Sequence, residues 1–333
     1  MSVTIKDIAK LANVSHTTVS RALNNSPHIH EETKIKIKAI AKQLNYVPNY
    51  NAKSLVLNKT YNIALFFSTI DQGTSPSFFY EVVSGVNSVI RTNYNLVLRG
   101  ISDYQDFLSV DKKRFDGIIL ISQSESDNVI IYDIMQKGIP LVVLNREIAE
   151  DSIVNILAAE KEGARKAVAY LIQNGHKDIA LIEGKKGFKS SMDRKEGYIK
   201  ALIEDGIQLN AEYIIEGEYN LESGHKAMQQ LLALPKIPSA VFCSNDDMAV
   251  GAMKAIFEAG LNVPEDISVI GFDDSVVCNY VTPTLTTIKK STAEISIQGA
   301  EKLLNILEGR QENGERIFLN TELVIRQSVA NSK

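Results

Sequence analysis

Hydrophobic positions near the start of the chain repeat at helical spacing in two short segments. The apolar positions are Ile5, Ile8, Ala9 and Ala12 in the first segment and Val14, Val19, Ala22 and Leu23 in the second. Each set falls on one face of a helix, with polar residues on the opposite face. The pattern therefore predicts two short amphipathic helices.

Capping residues mark where these two helices begin. Thr4 is followed three residues later by Asp7, which is the spacing of a capping box. Asn13 tolerates the left-handed backbone of a tight turn, and Ser15 can cap the second helix. Residues 4–24 are thus predicted to form a helix-turn-helix.

A third helix is predicted from residue 31 to residue 44. We expect its inward face to contain Ile35, Ala39, Ile40 and Leu44, with its lysines facing outward. The three helices would form a small all-α domain.

From Tyr61 onward, short apolar runs alternate with helical segments. The predicted strands are Ile63–Phe67, Leu96–Leu98, Gly117–Ile121, Leu141–Leu144, Ile153–Leu157, Ile179–Ile182, Tyr213–Ile215, Ala240–Phe242 and Ile267–Ile270. The predicted helices are Phe79–Arg91, Glu160–Asn174, Arg194–Glu204, Leu221–Ala233 and Asp247–Glu258. This alternation is typical of α/β proteins with parallel sheets covered by helices. Two series of this size predict two Rossmann-like lobes with a cleft between them.

Polar residues follow three of these strands. They are the pairs Asn145 and Arg146, Asn245 and Asp246, and Asp273 and Asp274. Because ligands of open parallel sheets bind beyond the carboxyl ends of the strands, we expect a ligand site there. The alternative for each residue is helix capping or a surface ion pair, and that alternative is favoured for Asp246 and Asp274.

The charge of the chain is unevenly distributed. Residues 1–60 carry nine Lys and Arg against three acidic residues, a charge of +6, and the remaining residues carry −10. A basic segment attached to an acidic body is expected when only that segment contacts phosphates. For any single lysine, simple solvation of a helix is the alternative.

Composition narrows the class of protein further. The chain has 333 residues, of which 44% are hydrophobic and two are cysteines, too few for a disulfide framework or a metal cluster. No apolar run is long enough to span a membrane, and the first residues do not resemble a signal peptide. We therefore expect a cytoplasmic protein without a membrane partner.

The outer face of the second predicted helix consists of hydrogen-bonding side chains. These are His16, Thr17, Ser20, Arg21 and Asn24. The DNA major groove accepts one helix, and its bases are distinguished by donors and acceptors, with Arg suited to guanine. The alternative is an ordinary helical hairpin with a solvated polar face.

Three motifs, IKDIAKLANVSHTTVSRALN, EETK and YVPNYNAKSL, occur in this order. Together they closely resemble the N-terminus of the LacI/GalR family of transcriptional regulators. The resemblance implies a helix-turn-helix DNA-binding domain (residues 1–46), a hinge helix or linker (47–59), and a two-lobed effector-binding and dimerisation domain (60–333). That last domain would have the type I periplasmic-binding-protein-like fold.

The resemblance also implies how the two lobes are connected. The first lobe would comprise about residues 60–158 and 289–326, and the second about 159–288. The sequence PTLTTI at residues 283–288, a helix near Ala293–Leu307 and a final strand around Leu323–Arg326 resemble the family's return to the first lobe.

Roles for individual residues follow from the resemblance. His16, Thr17 and Arg21 would contact base edges, and Ser15 and the lysines would contact phosphates. His28 is also assigned to DNA, with plain exposure as the alternative. In Ala-Lys-Ser-Leu at residues 52–55, Lys53 and Leu55 match the hinge, and Leu55 would wedge into the minor groove unless it packs under the next domain.

The resemblance likewise implies an effector site. Arg194 matches the effector-binding arginine of the family, Tyr219 an aromatic that packs against the effector, and Phe78 and Phe79 an aromatic pair at the first lobe's edge. With Arg146, Asn245 and Asp273 these residues would surround a neutral polar ring. We therefore expect a sugar or a sugar derivative as the effector.

The sequence contains no GxGxxG after the first strand, no GxSxG and no HExxH, and Gly184 and Gly187 lack the spacing of a P-loop. We therefore predict a homodimeric transcriptional repressor that binds near-palindromic double-stranded DNA, without a catalytic site, metal or cofactor. No leucine heptads follow the last strand, which favours a dimer over a tetramer. The alternatives are a two-lobed sugar-binding protein without a regulatory role, or a sugar-modifying enzyme.

Overall fold

The structure is a computed structural model that describes residues 3–23, 25–44, 46, 59–70, 73–101, 110–310 and 314–332. Contacts divide the chain into two compact units, Met1–Thr60 and Tyr61–Lys333. Most of the predicted hinge, including Lys53 and Leu55, lies outside the described residues. Among the helices that are described, none is long and apolar enough to cross a membrane.

The first unit folds as three helices, α1 (Ile5–Ala12), α2 (His16–Leu23) and α3 (Glu31–Gln43). Asp7 accepts hydrogen bonds from the backbone N–H of Thr4 at 2.8 Å and from its hydroxyl at 2.7 Å, so the predicted capping box is confirmed. Asn13 has a φ of 54°, and the backbone N–H of Thr18 donates to Ser15 Oγ at 3.0 Å. The predicted helix-turn-helix is therefore present.

The inward face of α3 differs from the prediction. Ile37 and Ala41 are buried, whereas Ile35 is 64% exposed and Ala39 is also exposed. The sequence IKIKAIAK carries apolar residues that fit two helical registers. The register that contains Ile37 is the one that packs against the buried residues of α1 and α2.

The second unit consists of alternating strands and helices. Its strands are β1 (Asn62–Phe67), β2 (Asn95–Gly100), β3 (Gly117–Ile121), β4 (Leu141–Leu144), β5 (Val154–Ala158), β6 (Ile179–Ile182), β7 (Ile214–Ile215), β8 (Ala240–Cys243), β9 (Ser268–Asp273), β10 (Thr286–Lys289), β11 (Glu315–Leu319) and β12 (Glu322–Val324). Its helices are α4 (Pro76–Ile90), α5 (Asn128–Gln136), α6 (Glu160–Gln173), α7 (Lys189–Glu204), α8 (Leu221–Leu232), α9 (Asp246–Glu258) and α10 (Thr292–Leu307).

These strands form two sheets, one in each lobe. The order is β11-β5-β4-β3-β1-β2 in the first lobe and β12-β10-β9-β8-β6-β7 in the second. Every neighbouring pair is parallel except β10 and β12. The central strands are buried on both faces, as in β1, where residues 63–67 are fully covered. The predicted fold class, an all-α head and two Rossmann-like parallel-sheet lobes, is confirmed.

The last strand lies in the second lobe, so the predicted return of Leu323–Arg326 to the first lobe is wrong. Leu323 of β12 pairs with Ile288 of β10 in the second sheet. Ser328, further along, accepts a hydrogen bond from Val269 N–H at 2.8 Å and donates one to its carbonyl at 2.6 Å. The strand that does return to the first lobe is β11, which pairs with β5. It has a weak apolar pattern because it is an edge strand with exposed residues.

The chain crosses between the lobes after β5, after β10 and after β11. Helices α6 and α7 lie close together beside the first of these crossovers. Gly197 permits this approach because a Cβ at that position would overlap the carbonyl oxygen of Lys161. The close packing brings Arg194 of α7 next to Glu160, the first residue of α6.

Candidate functional site

A pocket lies in the second unit, where strand ends of both lobes face each other. The described residues that line it are Gly73, Ser75, Phe78, Gln123, Asn145, Phe188, Ser190, Arg194, Tyr219, Asn245, Asp273 and Lys290. The lining combines aromatic faces with hydrogen-bonding and charged groups, a composition that suits a polar ligand.

Five of the seven predicted effector residues line this cavity, namely Phe78, Arg194, Tyr219, Asn245 and Asp273. The structure does not place Phe79 or Arg146 there. The Phe79 ring packs on Phe67 with ring centroids 5.1 Å apart, as part of the first-lobe core. Its neighbour Phe78 faces the cavity instead, because adjacent helical residues point in different directions.

Arg146 is buried beneath the first lobe's loops. Its Nε donates to Ser122 Oγ at 2.7 Å and its guanidinium donates to Asn128 Oδ1 at 2.5 Å. Burial lowers the pKa of this guanidinium from its ordinary value, and Asp127 partly opposes that shift. Arg146 therefore holds the start of α5, and the residue before it, Asn145, reaches the cavity.

Arg194 is the most extensively bonded side chain in the cavity. Its Nε donates to Glu160 Oε2 at 2.7 Å, and a terminal nitrogen donates to Asp273 Oδ1 at 3.2 Å. A further hydrogen bond reaches the carbonyl of Ser244, and the guanidinium lies 3.7 Å from the ring centroid of Phe272. Burial alone would lower the pKa of Arg194, but the two carboxylates raise it above its ordinary value.

Lys290 extends this network towards the first lobe. Its Nζ lies 2.7 Å from Glu160 Oε1 and donates to Asn145 Oδ1 at 2.9 Å. Burial raises the pKa of Glu160, but Arg194 and Lys290 outweigh burial and lower that pKa to about 2. Glu160 and Lys290 border two of the crossovers between the lobes. A buried ion-pair network thus joins the cavity to the connections between the lobes.

Tyr219 is held in place by close packing. Its backbone has a φ of 60°, and its hydroxyl forms a hydrogen bond of 2.9 Å with Ser190 Oγ. Asn245 donates to the carbonyl of Tyr219 at 3.1 Å and also caps α9, so its capping and cavity-lining roles coexist. Gly184 leaves room for the tyrosine, since a Cβ there would overlap the Tyr219 ring. Glycine is therefore required at this turn for packing.

The other two strand-end carboxylates have structural partners. Asp246 accepts hydrogen bonds from Ser275 N–H at 2.7 Å and from the Thr287 hydroxyl at 2.5 Å. Its burial, with a smaller effect of Asp273, raises its pKa to about 7. Asp274 forms a 2.7 Å ion pair with Arg326. Both carboxylates therefore have structural partners, as favoured from the sequence, but Asp246 is buried and, within the described part of the chain, neither caps a helix nor forms a surface ion pair.

Five further polar or aromatic residues of the lining were not identified from the sequence: Ser75, Gln123, Phe188, Ser190 and Lys290. Asn145 was recognised after β4, but Arg146 was chosen for the site in its place. Two of them follow the rule that gave Asn245 and Asp273, because Gln123 comes two residues after β3 and Lys290 comes directly after β10. Applied to every predicted strand rather than to three, that rule would have found Gln123, whereas β10 was not predicted as a strand.

In the first unit, the residues predicted to contact DNA lie together on α2. His16, Thr17 and Arg21 are exposed, and Ser15 precedes them at the N-terminus of the helix. His28 is exposed in the loop before α3. The structure therefore leaves the polar face of α2 available for contact with another molecule.

Two family models match the chain. The model for "Bacterial regulatory proteins, lacI family" matches residues 4–49, and a "Periplasmic binding protein-like domain" model matches residues 168–329. The chain is also 58% identical over 327 residues to the "Probable HTH-type transcriptional repressor ExuR" of Bacillus subtilis strain 168, with 98% of each chain covered. The chain belongs to the lacI family.

Solved structures agree with this membership. The Lac repressor dimer bound to operator and the anti-inducer ONPF is 28% identical and has a TM-score of 0.84, with 99% of this chain and 100% of that chain covered. A complex of the transcriptional regulator CelR with cellobiose is 28% identical and has a TM-score of 0.74, with 98% and 99% covered. The prediction of a DNA-binding transcriptional regulator of the lacI family is confirmed, and these relatives are regulators rather than enzymes.

The buried network generates a stability prediction. Glu160→Gln should lower the free energy of unfolding at pH 7 by about 3–5 kcal/mol, because two buried cations then lack a full counter-charge. Urea denaturation of the whole chain measures this change. Glu196→Gln is the control, since Glu196 pairs with Lys161 at the surface and its loss should cost less than about 1 kcal/mol.

The difference in unfolding free energy between the wild type and Glu160→Gln should depend on pH in a defined direction. The pKa of Glu160 is about 2 in the folded protein and about 4.3 in an unfolded chain. The stabilisation is thus complete above the unfolded value and is lost as pH falls towards 2. The gap between wild type and Glu160→Gln should shrink over that interval, and a gap that stays constant would contradict the assigned ion pairs.

Proposed function

We propose that this lacI-family repressor is controlled by a sugar, or a close sugar derivative, bound in the cavity between its two lobes. The observation that carries the proposal is the lining, in which the aromatic rings of Phe78 and Tyr219 accompany the polar groups of Asn245, Asp273 and Arg194. Aromatic faces suit the apolar side of a sugar ring, and the polar groups suit its hydroxyls.

The charge balance of the site also supports a neutral ligand. The cations Arg194 and Lys290 are paired with the carboxylates of Glu160 and Asp273. A neutral ring would leave these pairs intact, whereas a charged ligand would have to replace one of them. The cellobiose bound by CelR is a further argument for this class of ligand.

The first experiment is a thermal-shift screen of the purified protein. We expect D-ribose, D-glucose or cellobiose to raise the Tm, because a ligand that binds only the folded state stabilises it. D-Glucose 6-phosphate is the charged member of the panel and should raise the Tm less than the best neutral sugar. Purine bases and amino acids belong in the same screen as controls. A rise in Tm only with a purine or an amino acid would overturn the sugar proposal while leaving the family assignment intact.

Asp273 and Asp274 offer a matched pair of variants. Both have a left-handed backbone, with φ of 109° and 58°, which Asn tolerates. Asp273→Asn should weaken binding of the sugar found in the screen by about tenfold or more, because Asp273 lines the cavity beside Arg194. Asp274→Asn should retain wild-type affinity. Equal calorimetric affinities of the two variants would remove Asp273 from the site.

The DNA-reading surface proposed here is the polar face of α2. His16, Thr17 and Arg21 would contact base edges, while Ser15 and His28 would contact phosphates. Two copies in a homodimer would read the halves of a near-palindromic operator, which suits the operator-bound dimer of the Lac repressor. We place this function in the cytoplasm, where the DNA is.

The hinge completes the proposed mechanism. Residues 47–59 would form a marginally stable helix on the operator, with Lys53 near the backbone and Leu55 in the minor groove. A sugar that changes the angle between the lobes would move the two hinges of a dimer together or apart. A coupling of about 1–3 kcal/mol would then alter operator binding appreciably.

Arg21 provides the test of base reading. Arg21→Ala should reduce affinity for the inverted-repeat duplex that the wild type selects from a random pool by about 1–3 kcal/mol. Arg21→Lys is the matched variant, since it keeps the charge but loses bidentate geometry. In fluorescence anisotropy it should retain non-specific DNA binding and lose preference for the selected site. Retained preference in both variants would exclude Arg21 from base contact.

A further inference from the structure

Gln123 carries a buried polar group that the protein itself does not satisfy. The residue is 7% exposed and lines the cavity, and its side-chain Oε1 has no hydrogen-bond partner among the described residues. Buried acceptors in native proteins are nearly always paired, because an unpaired one is costly. This oxygen lies in the wall of the cavity and is therefore available to accept a hydrogen bond from a bound ligand.

The backbone of Gln123 is firmly positioned. Its N–H donates to Ser68 Oγ at 2.8 Å and to Asp127 Oδ2 at 3.1 Å. The same carboxylate accepts hydrogen bonds from the Ser122 hydroxyl at 2.8 Å and from Ser124 N–H at 3.2 Å. This loop after β3 is thus fixed around Asp127, and a ligand would meet a side chain on a preorganised backbone.

The carbonyl of Gln123 contacts the other lobe. It accepts a hydrogen bond of 2.8 Å from the backbone N–H of Lys189, the first residue of α7. Helix α7 has no side-chain cap at Phe188, so this donor obtains its partner from the first lobe. The same helix carries Ser190 and Arg194 of the cavity lining.

We propose that Gln123 joins ligand recognition to the contact between the lobes. Its side-chain amide would accept a hydrogen bond from a hydroxyl of the sugar, and its carbonyl holds the start of α7 in the second lobe. The inference rests on the proposed sugar site and assigns to it a specificity-determining residue that also positions α7. A ligand that lacks a donor at that point leaves Oε1 unpaired and binds less tightly.

The side-chain half of the proposal is tested with Gln123→Met, a change of similar volume. The sugar among D-ribose, D-glucose, cellobiose and D-glucose 6-phosphate that most raises the wild-type Tm serves as the probe. Its affinity for Gln123→Met, measured by calorimetry, should fall about tenfold, the order of effect of one buried hydrogen bond. The Tm without sugar should not fall, because the variant removes an unsatisfied group.

The control for this change is Gln173→Met, at an exposed position of α6, which should bind the probe like the wild type. A merely structural role for Gln123 would lower the Tm without sugar and leave the affinity unchanged. Either of those results would overturn the proposal.

The backbone half is tested at Lys189. Proline is accepted at the first position of a helix, and Phe188 already has the extended backbone that must precede it, with φ −83° and ψ 133°. Lys189→Pro therefore removes the N–H donor, while Lys189→Ala removes only the side chain and its ion pair with Asp193. We expect Lys189→Pro to bind the probe several-fold more weakly than Lys189→Ala, and equal affinities would refute the contact.

Amide hydrogen exchange separates failure of this inference from failure of the sugar proposal. If none of the four probes binds the wild type, the sugar proposal and the side-chain half of the inference are overturned, and exchange at Lys189 without ligand decides the backbone half. A protected amide supports the hydrogen bond to Gln123, and exchange as fast as in the exposed Lys186 excludes it.

Discussion

The rest of the second unit depends on a buried ion network of four residues. Glu160 pairs with both Arg194 and Lys290, and Arg194 also pairs with Asp273. Each of these charges would be costly to bury alone, so the pairs must form together. Glu160 and Lys290 border crossovers between the lobes, and Lys290 also donates to Asn145, which follows β4 of the first lobe. The network therefore joins the lining of the cavity to the connections between the lobes.

The architecture places the remaining parts around this network. Parallel strands place their carboxyl ends at one edge of each sheet, so polar residues in the short loops after these strands line the cavity. The first unit differs in chemistry, with a charge of +6 over residues 1–60 against −10 for the rest. This division of charge is expected when a small basic domain binds DNA and an acidic sensor domain does not contact it.

Much of this structure was predictable because local rules dominate. Capping and turn residues defined the first two helices, and strand ends and family motifs placed Arg194 and Asp273 in the site.

The predictions failed where two arrangements fit the same sequence pattern. The apolar residues of α3 allowed two registers, and Ile35 was assigned to the wrong one. Of two polar residues after β4, Arg146 was chosen over Asn145, because sequence alone does not show which side chain faces the cavity. Lys290 follows β10, an internal strand of the second sheet that was not predicted as a strand.

The central claim is that one ligand in the cavity and one operator on the helix-turn-helix domains are thermodynamically coupled. Linkage tests it directly, because the factor by which the sugar changes operator affinity must equal the factor by which the operator changes sugar affinity. Operator affinity can be measured by fluorescence anisotropy with and without sugar, and sugar affinity by calorimetry with and without operator. The account predicts two equal factors that differ from one, corresponding to about 1–3 kcal/mol. A sugar that binds the cavity but leaves operator affinity unchanged would contradict it.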